Sequence, residues 1–486
     1  MSDPFVSSHL PQSTKYFCSM QVPAFRRHLC RILAYSVALL VACWTPANAA
    51  DLQKQIDALA KPLIADGTAV GFVVGAVQAG KTQFLSYGET SKGSRTAPNP
   101  DTVYEVGSVT KVFTCTLLAD MVERGLVKLE DPVQRYLPSD VQMPVADGKP
   151  VRLVDLATQS SGLPRMPNNF APADPRNPYA DYRERRLYAF LKSYELRRPP
   201  GTYEYSNLGM GLLGVVLAHR AGISYEQLLS ERITGPLGMS DTRITLDNRL
   251  RRRLAPPYNA ALEPATNWDF KALAGAGAVR STARDLLKFA KANLDGDGPL
   301  HQAFRLAQAE HCDPVKGPTM GLGWHIARDG ITRWHNGQTA GYHTWLAIVP
   351  GRGIGVVVLS NTATSRITQF GELVTRAALG LDVKPLPPHE REHDRKIVAV
   401  NAATLARYAG VYQLFAGFDL TVSVEHGRLM VQATGQQKLP MFAESPAKFF
   451  NNAVNAQITF APGKDGNVDV LTLHQNGADL QAKRKK

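Results

Sequence analysis

The sequence predicts an α+β fold: one antiparallel sheet flanked by helices, joined to a helical lobe and followed by a small all-β domain. Three observations predict it. Strand patterns occur near both ends of the first 380 or so residues with helical patterns between them, which implies a single antiparallel sheet carrying inserted helices. A stretch rich in proline and charge, Asp382 to Asp394, then interrupts the chain. Beyond it, short strand patterns alternate with turn dipeptides such as His426-Gly427 and Asp465-Gly466. At 486 residues the chain is too long for one compact core, so two folded units are expected.

The N-terminus stands apart from that fold. Arg26, Arg27 and Arg31 precede an apolar run from Ile32 to Cys43, and Ala47-Asn48-Ala49 follows. A positive flank, a short apolar core and a small-x-small site are the parts of a secretory signal. The run is too short for a good membrane span. Cleavage after Ala49 is expected, giving an exported, periplasmic protein. Leu40-Val41-Ala42-Cys43 offers the alternative of a lipoprotein anchored through Cys43. Residues before Met20 fit no part of a signal and point to Met20 as an alternative start. The domain plan is therefore signal 1–49, main domain 50–381, linker 382–400 and a small barrel-like domain 401–486.

An amphipathic helix is expected over about Asp51–Ala65, then paired strands Gly71–Val77 and Lys81–Ser86 around Ala79-Gly80. Helical patterns broken by Pro/Gly loops fill Ser108 to about Leu294. Strands return at Gly323–Arg328, Thr332–Asn336, Tyr342–Val349 and Gly355–Asn361, before a helix from about Thr368 to Leu379. The last domain shows strands at Gly410–Tyr412, Asp419–Glu425, Arg428–Gln432, Gln457–Phe460 and Val468–His474.

Composition narrows the function. The hydrophobic content of 44% and charge of 20% are those of an ordinary soluble globular protein. The formal charge of +13 suggests an anionic envelope surface as a secondary partner. No basic run interleaved with aromatics points to nucleic acid, and Lys483–Lys486 reads as a solvated tail. Once the signal is removed only Cys115 and Cys312 remain, which is no disulfide framework. His389 and His393 have metal-like spacing but charged, Pro-rich neighbours, so they read as solvated. No cofactor or metal is implied.

Three motifs carry chemistry. In Tyr104-Glu105-Val106-Gly107-Ser108-Val109-Thr110-Lys111, positions i and i+3 of a helix place the Lys111 amine beside the Ser108 hydroxyl, and a lysine in a dry pocket can lose its proton near neutral pH. Tyr205-Ser206-Asn207 follows a Pro-Gly turn. Its tyrosine can shuttle protons, and Asn207 can hold a substrate amide and Lys111 together. His335-Asn336-Gly337 ends a strand. Gly337 would let a substrate backbone approach the strand edge, His335 would place a donor near a substrate carboxylate, and the N–H groups of Gln338 and Ser108 would form an oxyanion hole. Ser445-Pro446-Ala447-Lys448 repeats Ser-x-x-Lys by chance, in a β and loop region.

Together and in this order, the motifs resemble the class C β-lactamase and D-Ala-D-Ala peptidase family, which also includes serine esterases. Leu129–Val133, Ser161-Gly162-Leu163-Pro164, Pro236–Met239, Gly321–Trp324 and Leu359-Ser360-Asn361 reinforce the likeness over about Gly71–Leu381. Within the family the chain is most similar to AmpH-type penicillin-binding proteins, through Ser86–Thr90 and Asp155–Thr158 leading to Leu163-Pro164-Arg165. Leu405–Tyr412 resembles the start of the lipocalin-like domain appended to some relatives. The resemblance implies a β-lactamase/transpeptidase-like sheet and an exported serine hydrolase forming an acyl-enzyme. Catalytic Ser108, Lys111 and Tyr205 would be joined by substrate-binding Asn207, His335, Gly337 and Arg366. A peptidoglycan carboxypeptidase/endopeptidase with β-lactams as mimics is the first expectation. A β-lactamase, a short-chain esterase and an inactive wall-binding protein are the alternatives. His335 stands where class C β-lactamases have lysine, and Gln159 where many relatives have histidine.

Overall fold

The computed structural model describes residues 49–312, 317–388, 397–415, 418–434, 438–451, 456–461, 468–475 and 478–485. Arg26 to Cys43, the alternative start at Met20, and the His389/His393 pair lie outside these residues.

The chain starts on helix α1 (Ala49–Ala65), which buries Leu52, Ile56, Leu59, Ala60 and Leu63 along one stripe. Strands β1 (Gly71–Gln78) and β2 (Lys81–Gly88) form a hairpin whose two turn residues, Ala79 and Gly80, both take positive φ. That is the turn whose twist matches the strands. A small ribbon pairs β3 (Val103–Glu105) with β4 (Arg280–Thr282), bridging the segment before Ser108 to the helical lobe. Between them lie α2 (Thr110–Glu123), α3 (Asn207–Ala221) and the short α4 (Ala274–Gly277); α5 (Ala283–Ala292) follows β4.

The sheet is completed by β5 (His325–Ile326), β6 (Arg333–Gln338), β7 (His343–Val349) and β8 (Ile354–Ser360), in the order β2-β1-β8-β7-β6-β5, all antiparallel. Its residues alternate between two cores. Val73, Val77, Leu346, Ile348, Val357 and Leu359 face the lobe helices, whereas Phe72, Val74, Ala347, Val349, Val356 and Val358 face α1 and α6 (Arg366–Ala378). This period-two split makes the sheet the middle layer of three. β5 covers β6 only at Arg333 and Trp334, so the edge of β6 from His335 onward is left to face the Ser108 turn. The expected strand Gly323–Arg328 is thus reduced to two residues.

The start of the expected linker is not free of the first domain. Val383 and Leu386 pack on the α1/α6 core. Farther on, α7 (Ala402–Tyr408) precedes eight strands: β9 (Gly410–Phe415), β10 (Phe418–Glu425), β11 (Arg428–Ala433), β12 (Lys438–Ala443), β13 (Lys448–Asn451), β14 (Ala456–Ala461), β15 (Val470–Gln475) and β16 (Ala478–Arg484). They close into a barrel through β16 and β9. Leu405 and Tyr408 of α7 are buried in its core, where Tyr408 stacks on Phe460 with ring centres 4.1 Å apart.

Two readings of this region need correction. Strands β12, β13 and β16 were not among those expected. Lys483 and Arg484 are not a solvated tail but the closing seam: they pair with Gln413 and Tyr412, the Arg484 guanidinium lies 5.7 Å from the Tyr412 ring centre, and Lys485 Nζ donates to Asp419 at 2.6 Å. Ser445 and Lys448 sit at the β12–β13 hairpin, with Lys448 paired to Glu444 at 3.0 Å.

Candidate active site

Helix α2 is buried on all sides from Thr110 to Met121, so it is a core helix with no solvent face. Lys111, in its first turn, is therefore fully buried. A 3₁₀ turn, Gly107–Val109, leads into it and carries Ser108. Gly107 has φ +52, and a Cβ there would lie 2.6 Å from Gln338 N; only glycine permits both the turn and this approach. Thr110 secures the turn from the lobe side, its hydroxyl accepting Val279 N–H at 3.1 Å.

Lys111 Nζ has three partners: Ser108 Oγ at 2.9 Å, Asn207 Oδ1 at 2.9 Å and the Ala276 carbonyl at 2.8 Å. Burial drives its pKa well below the usual lysine value, and the Arg165 charge adds to the effect. That shift favours the neutral amine, and in its neutral form the group has two hydrogens and one lone pair. Asn207 Oδ1 and Ala276 O can only accept, so they take the two hydrogens. The lone pair is left for the Ser108 hydroxyl, which donates to it.

Tyr205 Oη lies 2.8 Å from Ser108 Oγ and donates to it. Burial raises the Tyr205 pKa, which keeps the phenol protonated. With Lys111 neutral, the result is a chain of neutral groups, Tyr205 O–H to Ser108 O–H to Lys111 N. Such a chain can take a proton from the serine and offer another from the tyrosine.

The Tyr205 loop is fixed at several points. Ser206 caps α3 by accepting Gly209 N–H at 2.8 Å and donates to Pro164 O at 2.7 Å. Gln159, which had no role assignable from sequence, has φ +59; its side chain accepts Ser206 N–H at 2.6 Å and its carbonyl accepts Glu204 N–H at 2.7 Å. It holds both flanks of Tyr205. The Ala276 carbonyl was also missed, although the small-residue run Ala274–Gly277 marks a close approach: a Cβ on Gly275 would lie 2.9 Å from Met210 O. Cys115 is buried against Ala157 and Met210, as a core residue.

The third motif meets the first. β6 packs its end onto the Ser108 turn, so the backbone segments bearing the Ser108 and Gln338 N–H groups touch. Three expectations at this motif and beyond it are corrected. A Cβ on Gly337 would fall 1.9 Å from Val106 O, so this glycine admits the protein's own backbone rather than a substrate's. His335 is buried, and its Nδ1 lies 2.6 Å from the Asn336 carbonyl. A carbonyl only accepts, so Nδ1 carries the proton and Nε2 presents a lone pair. Burial, His325 and Lys111 hold its pKa well below 6.5, so at neutral pH it offers an acceptor, not a donor for a carboxylate. Arg366 starts α6 and points elsewhere: it donates to Pro387 O and lies 4.0 Å from Asp66.

His325 and Arg165 also belong here and were not read from sequence as site residues. The His325 ring lies 5.1 Å from that of His335, and burial lowers its pKa to about 4. The Arg165 guanidinium lies 5.0 Å from the Tyr205 ring centre. Beneath the site, Glu105 is buried and bonded to Arg280 at 3.2 Å, Asn267 at 3.1 Å and Trp268 N at 3.0 Å.

A three-layer fold with half-buried Ser108 and Tyr205 around a buried Lys111, between sheet and lobe, defines a serine hydrolase of the β-lactamase class. The Beta-lactamase family model matches residues 56–378, and the chain belongs to that family. A second model, a domain of unknown function (DUF3471), matches residues 394–486, the region of the barrel. The D-alanyl-D-alanine-carboxypeptidase/endopeptidase AmpH of Escherichia coli K12 is 32% identical over 366 residues, covering 70% of this chain and 93% of that protein. Penicillin-binding protein 4* of Bacillus subtilis is 26% identical over 430 residues, covering 82% and 92%. Among solved structures, a β-lactamase/D-alanine carboxypeptidase of Yersinia pestis in complex with citrate superposes with a TM-score of 0.62 at 28% identity, covering 68% of this chain and 99% of that one.

Proposed function

We propose that this serine hydrolase is an exported D-Ala-D-Ala carboxypeptidase/endopeptidase of peptidoglycan peptides, which β-lactams acylate as substrate mimics. The observation that carries the chemistry is the Ser108 hydroxyl between Lys111 Nζ at 2.9 Å and Tyr205 Oη at 2.8 Å. The likeness to AmpH supports the substrate class.

Ser108 Oγ attacks the scissile carbonyl as its proton passes to the Lys111 lone pair. The oxyanion is met by the N–H groups of Ser108 and Gln338. Tyr205 gives its proton to the leaving amine as the C–N bond breaks, and the proton held by Lys111 then restores the phenol. Water attacks the acyl ester and loses a proton to the same pair, while Ser108 Oγ recovers one. Asn207 and Ala276 hold the amine in place throughout. The intact cluster weighs against an inactive wall-binding protein. Export rests on the N-terminal signal pattern, with anchoring through Cys43 as the alternative route.

Incubating the purified protein in parallel with a muropeptide, a cephalosporin and a nitrophenyl ester tests the assignment. Release of D-Ala from the muropeptide is expected. Rapid turnover of the ester or the cephalosporin with no action on the muropeptide would replace this reading by an esterase or a β-lactamase.

A further inference from the structure

Both D-Ala-terminated peptides and β-lactams carry a carboxylate, yet neither group expected to meet it is available. His335 is neutral and presents an acceptor, and Arg366 is engaged by Pro387 and Asp66. A cation must come from elsewhere in the cleft.

Arg165 has the required placement. Its backbone is pinned to the start of α3, because its carbonyl accepts the N–H groups of Asn207 at 3.0 Å and Leu208 at 3.3 Å. Its side chain is exposed, and its guanidinium lies 5.0 Å from the Tyr205 ring centre. Lys111 Nζ lies 4.8 Å from the same ring. Among the described residues no carboxylate lies within ion-pair distance of Arg165, whereas neighbouring Arg152, Arg176, Arg186 and Arg198 each have one. Its charge is felt by Lys111, Tyr179, Tyr203 and Tyr205, the groups around the cleft. A guanidinium over the ring of the proton donor, with no carboxylate partner among the described residues, is thus open to an anion from solution.

We propose that Arg165 binds the free carboxylate on the leaving side of the scissile bond, making the cleft selective for substrates whose leaving residue carries a free carboxylate. The chemistry places it there. Tyr205 protonates the leaving nitrogen, and in a terminal amino acid the carboxylate carbon is about 2.5 Å from that nitrogen by standard backbone geometry. The carboxylate therefore arrives beside Tyr205, where the guanidinium fork can take both oxygens. This inference rests on the roles given above to Ser108 and Tyr205.

The test uses the full chain and a pair of acyl-D-Ala-D-Ala peptides, one with a free carboxylate and one with a terminal carboxamide. The wild type should prefer the free carboxylate by about ten- to a hundredfold in kcat/KM, the range for a charged hydrogen-bonded contact. Arg165→Ala should collapse that ratio towards one, chiefly through KM for the carboxylate peptide, and Arg165→Lys should restore part of it. A wild type without the preference, an Arg165→Ala variant that keeps it, or its loss in His335→Gln instead would each overturn the proposal. If neither peptide is cleaved while a nitrophenyl ester still acylates Ser108, the peptidase reading fails by itself. Arg165 is then judged by acylation rates with a β-lactam and its methyl ester, on the same criteria.

Discussion

Tyr205 Oη and Ser108 Oγ, 97 residues apart in sequence, meet at 2.8 Å, and Lys111 Nζ reaches the same oxygen at 2.9 Å. The acid and the base are therefore separate groups, and burial favours the uncharged form of each. A pair of this kind is needed when a proton must be removed from the nucleophile and another delivered to the leaving group.

Tyr205→Phe and Lys111→Ala should each lower kcat by about 10²–10⁴. The double variant should be little worse than either alone, because the two act on one serine. Steady-state kinetics with a β-lactam reads this directly. Near-wild-type turnover in Tyr205→Phe would take the tyrosine out of the mechanism.

Activity should fall at low pH as Lys111 gains a proton, at a pH well below the usual lysine range. Arg165 contributes to that lowering, so Arg165→Ala should move the acid limb of kcat to higher pH. The stability effect has the same sign. Between the folded and unfolded pKa values of Lys111 the unfolded chain binds the extra proton, so this group's contribution to stability falls as pH drops through that window. An acid limb that stays in place in Arg165→Ala would show that the guanidinium does not act on Lys111.

Gly337→Ala should damage the protein by packing rather than by loss of substrate contact. The added Cβ falls 1.9 Å from Val106 O, a backbone atom with little freedom to move. A loss of at least about 1–3 kcal/mol is expected, typical of overpacking. Chemical denaturation should reveal it without any substrate. A variant of native stability that fails only with peptide would return Gly337 to substrate binding.

A chain ending after Pro388 should fold and acylate, whereas one ending at Leu381 should melt lower. The difference follows from Val383 and Leu386 on the α1/α6 core and from Arg366 bonding to Pro387 O. Equal melting temperatures for the two truncations would show that this segment contributes nothing to the domain.

Much of this was legible in the sequence because side chains at helical spacing announce themselves. Ser108 and Lys111 stand at i and i+3, and Tyr205 precedes its own N-cap. The apolar runs of the central strands and the β1–β2 turn were equally readable. What escaped was carried by backbone or by context. The Ala276 carbonyl has no residue signature, and the positive φ of Gln159 cannot be read from a glutamine. The proton on His335 Nδ1 depends on a carbonyl one residue away. Pro440 stands inside β12, where a paired strand seldom holds a proline, and the charge of Lys483–Lys486, the mark of a solvent-facing segment, hid the seam of the barrel.

The central claim is that Ser108 is the nucleophile of this site, and intact-mass spectrometry after exposure to a slowly released β-lactam tests it most directly. The account predicts one covalent adduct per chain, mapped by peptide digestion to Ser108 and absent from Ser108→Ala. An adduct that survives that substitution, or maps to Ser445 in the barrel, would contradict it.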